Sequence, residues 1–170
     1  FAIADGGEGT LEAYVDATDA TLISIPVNNP YFEPIGATYG RIDGEAMIEL
    51  ASAAGVMLIP ERLNPMETST YGVGQIIQHA IEHDVTHIML GLGGSATNDG
   101  GCGIACALGV RFYDKQGESF IPVGKSLKDI HVIDMSGLHP KANKIRWTVV
   151  SDVVNPLTGP LGSARVYARQ

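Results

Sequence analysis

A glycine-rich loop of eleven residues, 91–101, constrains the fold of this chain more than any other segment. Its sequence is Gly-Leu-Gly-Gly-Ser-Ala-Thr-Asn-Asp-Gly-Gly. The apolar run 88–90 before it is typical of a buried strand, and the small-residue segment 102–108 after it is typical of a helix. The pattern therefore predicts a strand that ends near Leu90 and a helix that begins near Asp99 or Gly100.

We expect this loop to bind an anionic group. Glycines free several backbone N–H groups to converge on one point, and the start of the following helix adds partial positive charge there. The loop also carries hydroxyl, amide and carboxylate groups at Ser95, Thr97, Asn98 and Asp99. Its N–H groups should face a concave surface rather than the core. The alternative is a closely packed strand-to-helix turn without a ligand.

Neither common nucleotide-binding motif fits the loop. No Gly-Lys-Ser/Thr is present, which excludes a Walker A loop. Gly91, Gly93 and Ala96 match the loose dinucleotide pattern G-x-G-x-x-G/A, which glycine-rich sequence meets easily. No acidic residue ends a recognisable second strand about 20 residues later, as the ribose contact requires.

A second glycine-rich segment near the start of the chain repeats part of the loop. Residues 5–9 and 99–103 both have the pattern Asp-Gly-Gly-x-Gly, and helix-like segments follow at 10–16 and 104–108. Asp is a favoured helix N-cap, and paired glycines let a ligand approach the first helical turn. Two ordinary caps are the alternative interpretation.

The remaining pattern predicts an α/β fold, with a mixed sheet flanked by helices. Ile23, Ile25 and Val27 alternate as in a half-buried strand, and Asp43-Gly44 predicts a hairpin between 35–42 and 46–50. Apolar spacing predicts a helix over 70–83. Further strands are predicted at 86–91, 110–113 and 145–150. Residues 114–144 are predicted to be rich in loops, with one short strand near His131.

Charge and composition exclude several functions. The formal net charge is −8 and the basic residues form no cluster, so neither nucleic acid nor an anionic membrane is an expected partner. With 45% apolar residues the chain can bury a core, and no segment has the length of a membrane span or the form of a signal peptide. A cytoplasmic domain is expected.

Two cysteines and a histidine pair offer alternative chemistry. Cys102 and Cys106 are four residues apart, which suits two reduced core thiols better than a redox or zinc pair. His79, Glu82 and His83 match H-x-x-E-H, the inverted zinc-peptidase signature. Apolar residues occupy the other side of that helix, so we expect both histidines in solvent. This motif offers a metallopeptidase as an alternative function, which the expected exposure of the histidines does not favour.

Three long motifs resemble the bacterial glycerate kinase family. They are Ala-Asp-Gly-Gly-Glu-Gly-Thr at 4–10, Gly-Gly-Ser-Ala-Thr-Asn-Asp-Gly-Gly at 93–101 and Ser-Asp-Val-Val-Asn-Pro-Leu at 151–157. Shorter segments at 64–65, 68–74 and 107–112 fall in the order that this family shows. The resemblance therefore covers the whole chain.

The resemblance implies ATP- and Mg²⁺-dependent phosphorylation of glycerate to phosphoglycerate. Asp5 and Asp152 would be catalytic and would be the candidates for the metal, and Glu8 and Glu49 are weaker carboxylate candidates. For each Asp, a cap or turn role is the alternative. The groups that hold the glycerate carboxylate or a phosphate would be Gly93, Gly94, Ser95, Thr97, Asn98 and Asp99.

Family members are longer than this chain. They open with an Asp-Ser-Phe-Lys segment that is absent here and continue past Gln170. The resemblance thus implies that residues 1–170 are a single α/β domain or partial chain, corresponding to the inserted domain, or part of it, of a two-domain glycerate kinase. The remainder of the same polypeptide would be the second domain, and the piece alone would be inactive. The alternative is a non-catalytic ligand-binding or assembly module, and the oligomeric state is left open.

Overall fold

The computed structural model describes residues 6–168 and contains two sheets. The strands are β1 Thr21–Asn28, β2 Pro34–Ile42, β3 Glu45–Glu49, β4 His87–Gly91, β5 Arg111–Tyr113, β6 Ser119–Phe120, β7 Val132–Asp134 and β8 Arg146–Val150. The α-helices are α1 Thr10–Ala17, α2 Ala51–Ala54, α3 Tyr71–Glu82, α4 Cys102–Ala107 and α5 Ser163–Tyr167. Short 3₁₀ turns occur at Val56–Leu58, Gly124–Asp129 and Ala142–Lys144. The predicted α/β class is confirmed.

The main sheet is mixed, with the strand order β1-β2-β3-β4-β8. β1, β2 and β3 are antiparallel neighbours, whereas β3, β4 and β8 run parallel. The parallel strands end at Glu49, Gly91 and Val150, which are paired across the sheet at one edge. The loops that follow these strands therefore begin side by side, as in other open α/β sheets that bind ligands.

The hairpin between β2 and β3 forms where Asp43-Gly44 predicts it. Both residues have positive φ, 44° for Asp43 and 81° for Gly44, which is the type I′ geometry that matches the twist of the flanking strands. Ile42 pairs with Glu45 directly across the turn. Two residues thus fix the register of β3, and β3 in turn pairs with β4.

Helices cover both faces of the main sheet. On one face α3 buries the apolar residues predicted from its spacing, Val73, Ile76, Ile77, Ala80 and Ile81. Each of the Val and Ile side chains contributes about 1.5–3 kcal/mol of burial free energy. On the other face α1 approaches β2 so closely that a Cβ at Gly40 would meet Leu11 at 2.9 Å. None of the described helices has the length and apolarity needed to cross a membrane.

A small second sheet with the order β6-β5-β7 lies outside the main sheet. The strand predicted at 110–113 is β5, but it pairs antiparallel with β6 and β7 rather than with the main sheet. The strand predicted near His131 is β7. The region 114–144 also contains β6, which was not predicted, and otherwise consists of turns and two short 3₁₀ helices.

Candidate functional site

A cavity of about 540 Å³ opens at the edge where the parallel strands end. Most of the segments that line it follow β3, β4 and β8, and α5 and Gly7 complete the lining. The lining residues are Gly7, Val56, Pro65, Leu92, Gly93, Gly94, Ser95, Thr97, Asn98, Ser151, Asp152, Val153, Ser163, Tyr167 and Ala168. The structure thus brings Asp152 and most of the predicted binding loop together on one pocket.

The glycine-rich loop lies between β4 and α4, as predicted. The strand ends at Gly91 and the helix begins at Cys102, two to three residues later than expected because Gly101 adopts a left-handed conformation as N-cap, with φ 77°. Residues 93–98 belong to neither a helix nor a strand, apart from one isolated bridge between Ser95 and Gly55. The loop is therefore irregular along the pocket.

Several backbone N–H groups of the loop bind within the protein, contrary to our expectation that they face the pocket. They donate as follows: Leu92 to Val150 O (3.2 Å), Gly93 to Gly6 O (2.9 Å), Ala96 to Ala54 O (2.8 Å) and Thr97 to Ser95 Oγ (3.2 Å). The first three bonds attach the loop to β8, to the segment before α1 and to the end of α2, whereas the fourth lies within the loop. The polar side chains that line the pocket from this loop are Ser95, Thr97 and Asn98.

The glycines of the two related segments allow an unusually close approach of backbones. A Cβ at Gly93 would lie 2.4 Å from Gly7 Cα, and one at Gly91 would lie 2.5 Å from Gly6 O. A Cβ at Gly6 would meet Val150 O at 2.4 Å. The segment Gly6–Gly7 therefore fits between the ends of β4 and β8 only because these positions lack side chains.

Asp99, predicted to bind the ligand, lies behind the loop and is 1% exposed. Its carboxylate accepts hydrogen bonds from Thr70 N (2.8 Å), Thr70 Oγ1 (2.9 Å), Ser69 Oγ (3.4 Å), Gly101 N (3.0 Å) and Gly103 N (3.1 Å). It thereby joins the start of α3 to the start of α4. A direct contact with a ligand stays a prediction, because this carboxylate does not line the pocket.

Asp152, predicted to be catalytic, has the opposite surroundings. It follows β8, is exposed, and is the one charged side chain among the described residues that line the pocket. No hydrogen bond or ion pair joins its carboxylate to another residue of 6–168. Asp5, the other predicted catalytic carboxylate, lies outside the described residues.

The two weaker carboxylate candidates differ in their surroundings. Glu49 is buried, and its Oε1 accepts a hydrogen bond of 2.7 Å from Leu11 N in the first turn of α1. Glu8 is exposed and does not line the pocket. Glu49 therefore stabilises a helix N-terminus, one of the routine structural uses of a buried Glu.

Sequence reasoning missed several residues of the pocket. Val56 and Pro65 line it from the turns after β3, and Ser163 and Tyr167 line it from α5. Pro65 is adjacent to Asn64 in a segment that shows the family resemblance, which was the available signal. Nothing in the composition of α5 indicates a binding role.

The histidine pair is held by its neighbours rather than exposed as a pair. His79 is half-buried, its Nδ1 lies 3.0 Å from Tyr39 Oη, and its ring stacks on His83 with centroids 4.0 Å apart. The expectation of solvent exposure holds for His83 and is wrong for His79. Within residues 6–168 no group of three or more His, Cys, Asp or Glu is placed to hold a metal.

The two cysteines are free and half-buried. Burial, with smaller contributions from Cys102 and Asp99, raises the pKa of Cys106 to about 11. Burial also raises the pKa of Cys102. Because the thiolate is the reactive form, neither cysteine has the environment of a nucleophile.

The fold and the pocket define an α/β protein with a cavity at the carboxyl edge of its parallel strands, which is where open α/β sheets hold ligands. The chain belongs to the glycerate kinase family, whose family model matches residues 1–170. The resemblance seen in the three motifs is therefore confirmed.

Relatives of known name are similar over nearly the whole chain. "Glycerate kinase" of Bacillus subtilis (strain 168) is 43% identical over 171 residues, and "Glycerate 2-kinase" of Escherichia coli (strain K12) is 41% identical over 172 residues. Each alignment covers 99% of this chain and 45% of the relative. The crystal structure of a Salmonella typhimurium LT2 protein assigned as glycerate kinase 2 superposes with a TM-score of 0.92 at 41% identity, covering 97% of this chain and 45% of that one. The chain thus spans about half the length of these relatives.

Proposed function

We propose that the complete gene product is an ATP-dependent glycerate kinase and that this chain supplies its acceptor-binding pocket. The observation that carries the proposal is the pocket itself, in which an exposed carboxylate, Asp152, shares one cavity with the polar loop 93–98. Membership of the glycerate kinase family supports this choice of reaction. Free thiols and the acidic composition support a cytoplasmic location.

The loop offers suitable groups for glycerate. Ser95, Thr97 and Asn98 line the pocket. The hydroxyls of Ser95 and Thr97 share a hydrogen bond of 2.9 Å, and with the amide of Asn98 they supply further donor and acceptor capacity. A glycerate carboxylate or a transferred phosphate needs donors, and the glycerate hydroxyls need acceptors. Gly93 and Gly94 also line the pocket, and their missing side chains allow the loop to pack against Gly7 and Ala51.

Asp152 fits a role with Mg²⁺ or with the acceptor hydroxyl. Mg²⁺ takes one or two protein carboxylates and completes its shell with waters and phosphate oxygens, and the exposed Asp152 carboxylate is such a ligand. When bound, the metal would neutralise charge on the phosphates. Alternatively, Asp152 accepts the proton of the reacting hydroxyl. We propose Asp5 as the second carboxylate of this site.

The cations for the ATP phosphates are proposed to come from the remainder of the polypeptide. No Lys or Arg is among the described residues that line the pocket. Phosphoryl transfer requires positive charge around the phosphates, so residues 1–170 alone should bind weakly and turn over negligibly. The same lack of cations favours the second candidate, a non-catalytic ligand-binding or assembly module.

A coupled assay of ADP release, with the product identified by ³¹P NMR, separates the two candidates. We expect ATP- and glycerate-dependent ADP release by the complete gene product, a phosphoglycerate signal, and no activity from residues 1–170 alone. Absence of turnover in the complete gene product, with glycerate still binding in calorimetry, would favour the binding module. The position of the phosphate in the product identifies the hydroxyl that reacts.

A further inference from the structure

Two pocket residues, Thr97 and Asn98, lie between two anchored points of the chain. On one side, Ala96 O accepts a hydrogen bond of 2.7 Å from Thr68 Oγ1. On the other side, the Asp99 carboxylate accepts hydrogen bonds from Thr70 N and Thr70 Oγ1 at 2.8 and 2.9 Å. The donors of all these hydrogen bonds belong to one segment, residues 68–70.

This segment is itself rigidly held. Thr68, Ser69 and Thr70 are 0%, 0% and 3% exposed, and Ser69 N donates to Pro30 O at 3.0 Å. Thr70 Oγ1 also accepts a hydrogen bond of 3.1 Å from Ile104 N in α4. Because buried polar groups with all partners satisfied rigidify their surroundings, residues 68–70 form a fixed support for the loop.

The contact between α3 and α4 leaves residues 68–70 little freedom to shift. A Cβ at Gly103 would lie 2.4 Å from Ser69 Oγ and 2.5 Å from Tyr71 N, so α4 packs directly against the start of α3. Movement of residues 68–70 would therefore have to displace α4 as well. The two anchors of the loop are thus fixed relative to one another.

We propose that Thr68 and Asp99 are positioning residues, which set the place of Thr97 and Asn98 in the pocket without touching the ligand. Neither Thr68 nor Asp99 lines the cavity, whereas Thr97 and Asn98 both do. This inference rests on the proposed glycerate kinase function for its kinetic effect. A displacement of about 1 Å in a positioning group can cost about 100-fold in rate.

The test uses Thr68→Val, Thr68→Ser and the matched control Thr18→Val in the complete gene product. Thr18 Oγ1 also donates to a backbone carbonyl, Tyr14 O at 2.7 Å, at the end of α1. We expect Thr68→Val to lower kcat/KM for glycerate by about 10- to 100-fold. Thr68→Ser should restore most of the loss because it keeps the hydroxyl, and Thr18→Val should behave as wild type.

Hydrogen exchange of a peptide that covers the loop 91–101 provides a readout independent of turnover. Thr68→Val should speed exchange in this peptide at least several-fold, whereas Thr68→Ser and Thr18→Val should leave it unchanged. Should Thr68→Val fail to fold, Thr70→Val tests the second anchor, because it removes the hydroxyl bond to Asp99.

The outcomes separate the two proposals. If the wild type has no glycerate kinase activity, the proposed function fails. The hydrogen-exchange data alone then test whether residues 68–70 hold the loop in place. Wild-type exchange in a folded Thr68→Val or Thr70→Val protein would overturn the proposed anchoring. Faster exchange with unchanged kcat/KM in an active enzyme would overturn the positioning role.

Discussion

Two aspartates near the pocket have opposite surroundings, and the difference decides what each can do. Asp99 is buried and surrounded by backbone and hydroxyl donors, whereas Asp152 is exposed and faces the cavity. Both occur in turn-rich sequence, where capping and ligand binding use the same residue type. The two aspartates differ because Asp99 is buried where α3 packs against α4, and no local sequence pattern shows this difference.

We predict that Asp99→Asn destabilises the fold by about 2–3 kcal/mol, because the new amide group would oppose N–H donors and the charge-assisted bonds would be lost. Asp114→Asn is the matched control, since Asp114 Oδ1 accepts bonds from Gln116 N and Glu118 N on an exposed turn. The control should cost less than about 1 kcal/mol. Urea unfolding of both variants measures the difference. Equal effects would contradict the structural role assigned to Asp99.

We predict that His79 makes the stability of the protein depend on pH. Burial lowers the pKa of His79 below its ordinary 6.5, and the neighbouring His83 lowers it further. His79 therefore binds a proton more readily in the unfolded chain than in the folded one. The contribution of neutral His79 to the free energy of unfolding is complete above pH 6.5 and is lost as the pH falls through the pKa of the folded state. The urea concentration at the unfolding midpoint should therefore decrease when the pH is lowered from about 7.5 to about 5.5. The decrease should be smaller in His79→Gln. The same pH dependence in both proteins would exclude His79 as the cause.

At the scale of elements, local patterns account for most of what forms. The hairpin at Asp43-Gly44, the apolar face of α3 and the strand–loop–helix order around residues 91–101 all follow from short-range rules. The pairing of β5 with β7 rather than with the main sheet does not, because partner choice among short strands depends on contacts more distant in sequence. The same holds for the N–H groups of Leu92, Gly93 and Ala96, whose acceptors lie on β8, before α1 and at the end of α2.

The loop has no room for a side chain at Gly93, which leads to a prediction about stability and binding. We expect Gly93→Ala to destabilise the protein by about 2–3 kcal/mol or more and to impair ligand binding, because its Cβ would meet the backbone of Gly7 at 2.4 Å. Gly36→Ala in β2 is the matched control, since nothing lies within 4 Å of a Cβ there. Thermal melts and glycerate titration of the two variants provide the measurement. A stable, binding-competent Gly93→Ala protein would show that the close approach is unnecessary.

At the scale of the whole molecule, the pocket is assembled from segments far apart in the sequence. The loop after β4, the turn after β8 and helix α5 meet at one edge of the parallel strands. The sequence indicated two of these three segments through the family motifs, and general α/β topology explains why they converge. The contribution of α5 depends on how the chain folds back after β8, which no local pattern encodes.

The most direct test of this account is steady-state kinetics of Asp152→Asn in the complete gene product, beside a thermal melt. If Asp152 acts on the metal or on the acceptor proton, kcat should fall by about 100-fold or more, since the interaction is strongest in the transition state. The melting temperature should change little, because the exposed carboxylate has no partner among residues 6–168. An unchanged kcat would contradict the account and remove Asp152 from the catalytic site.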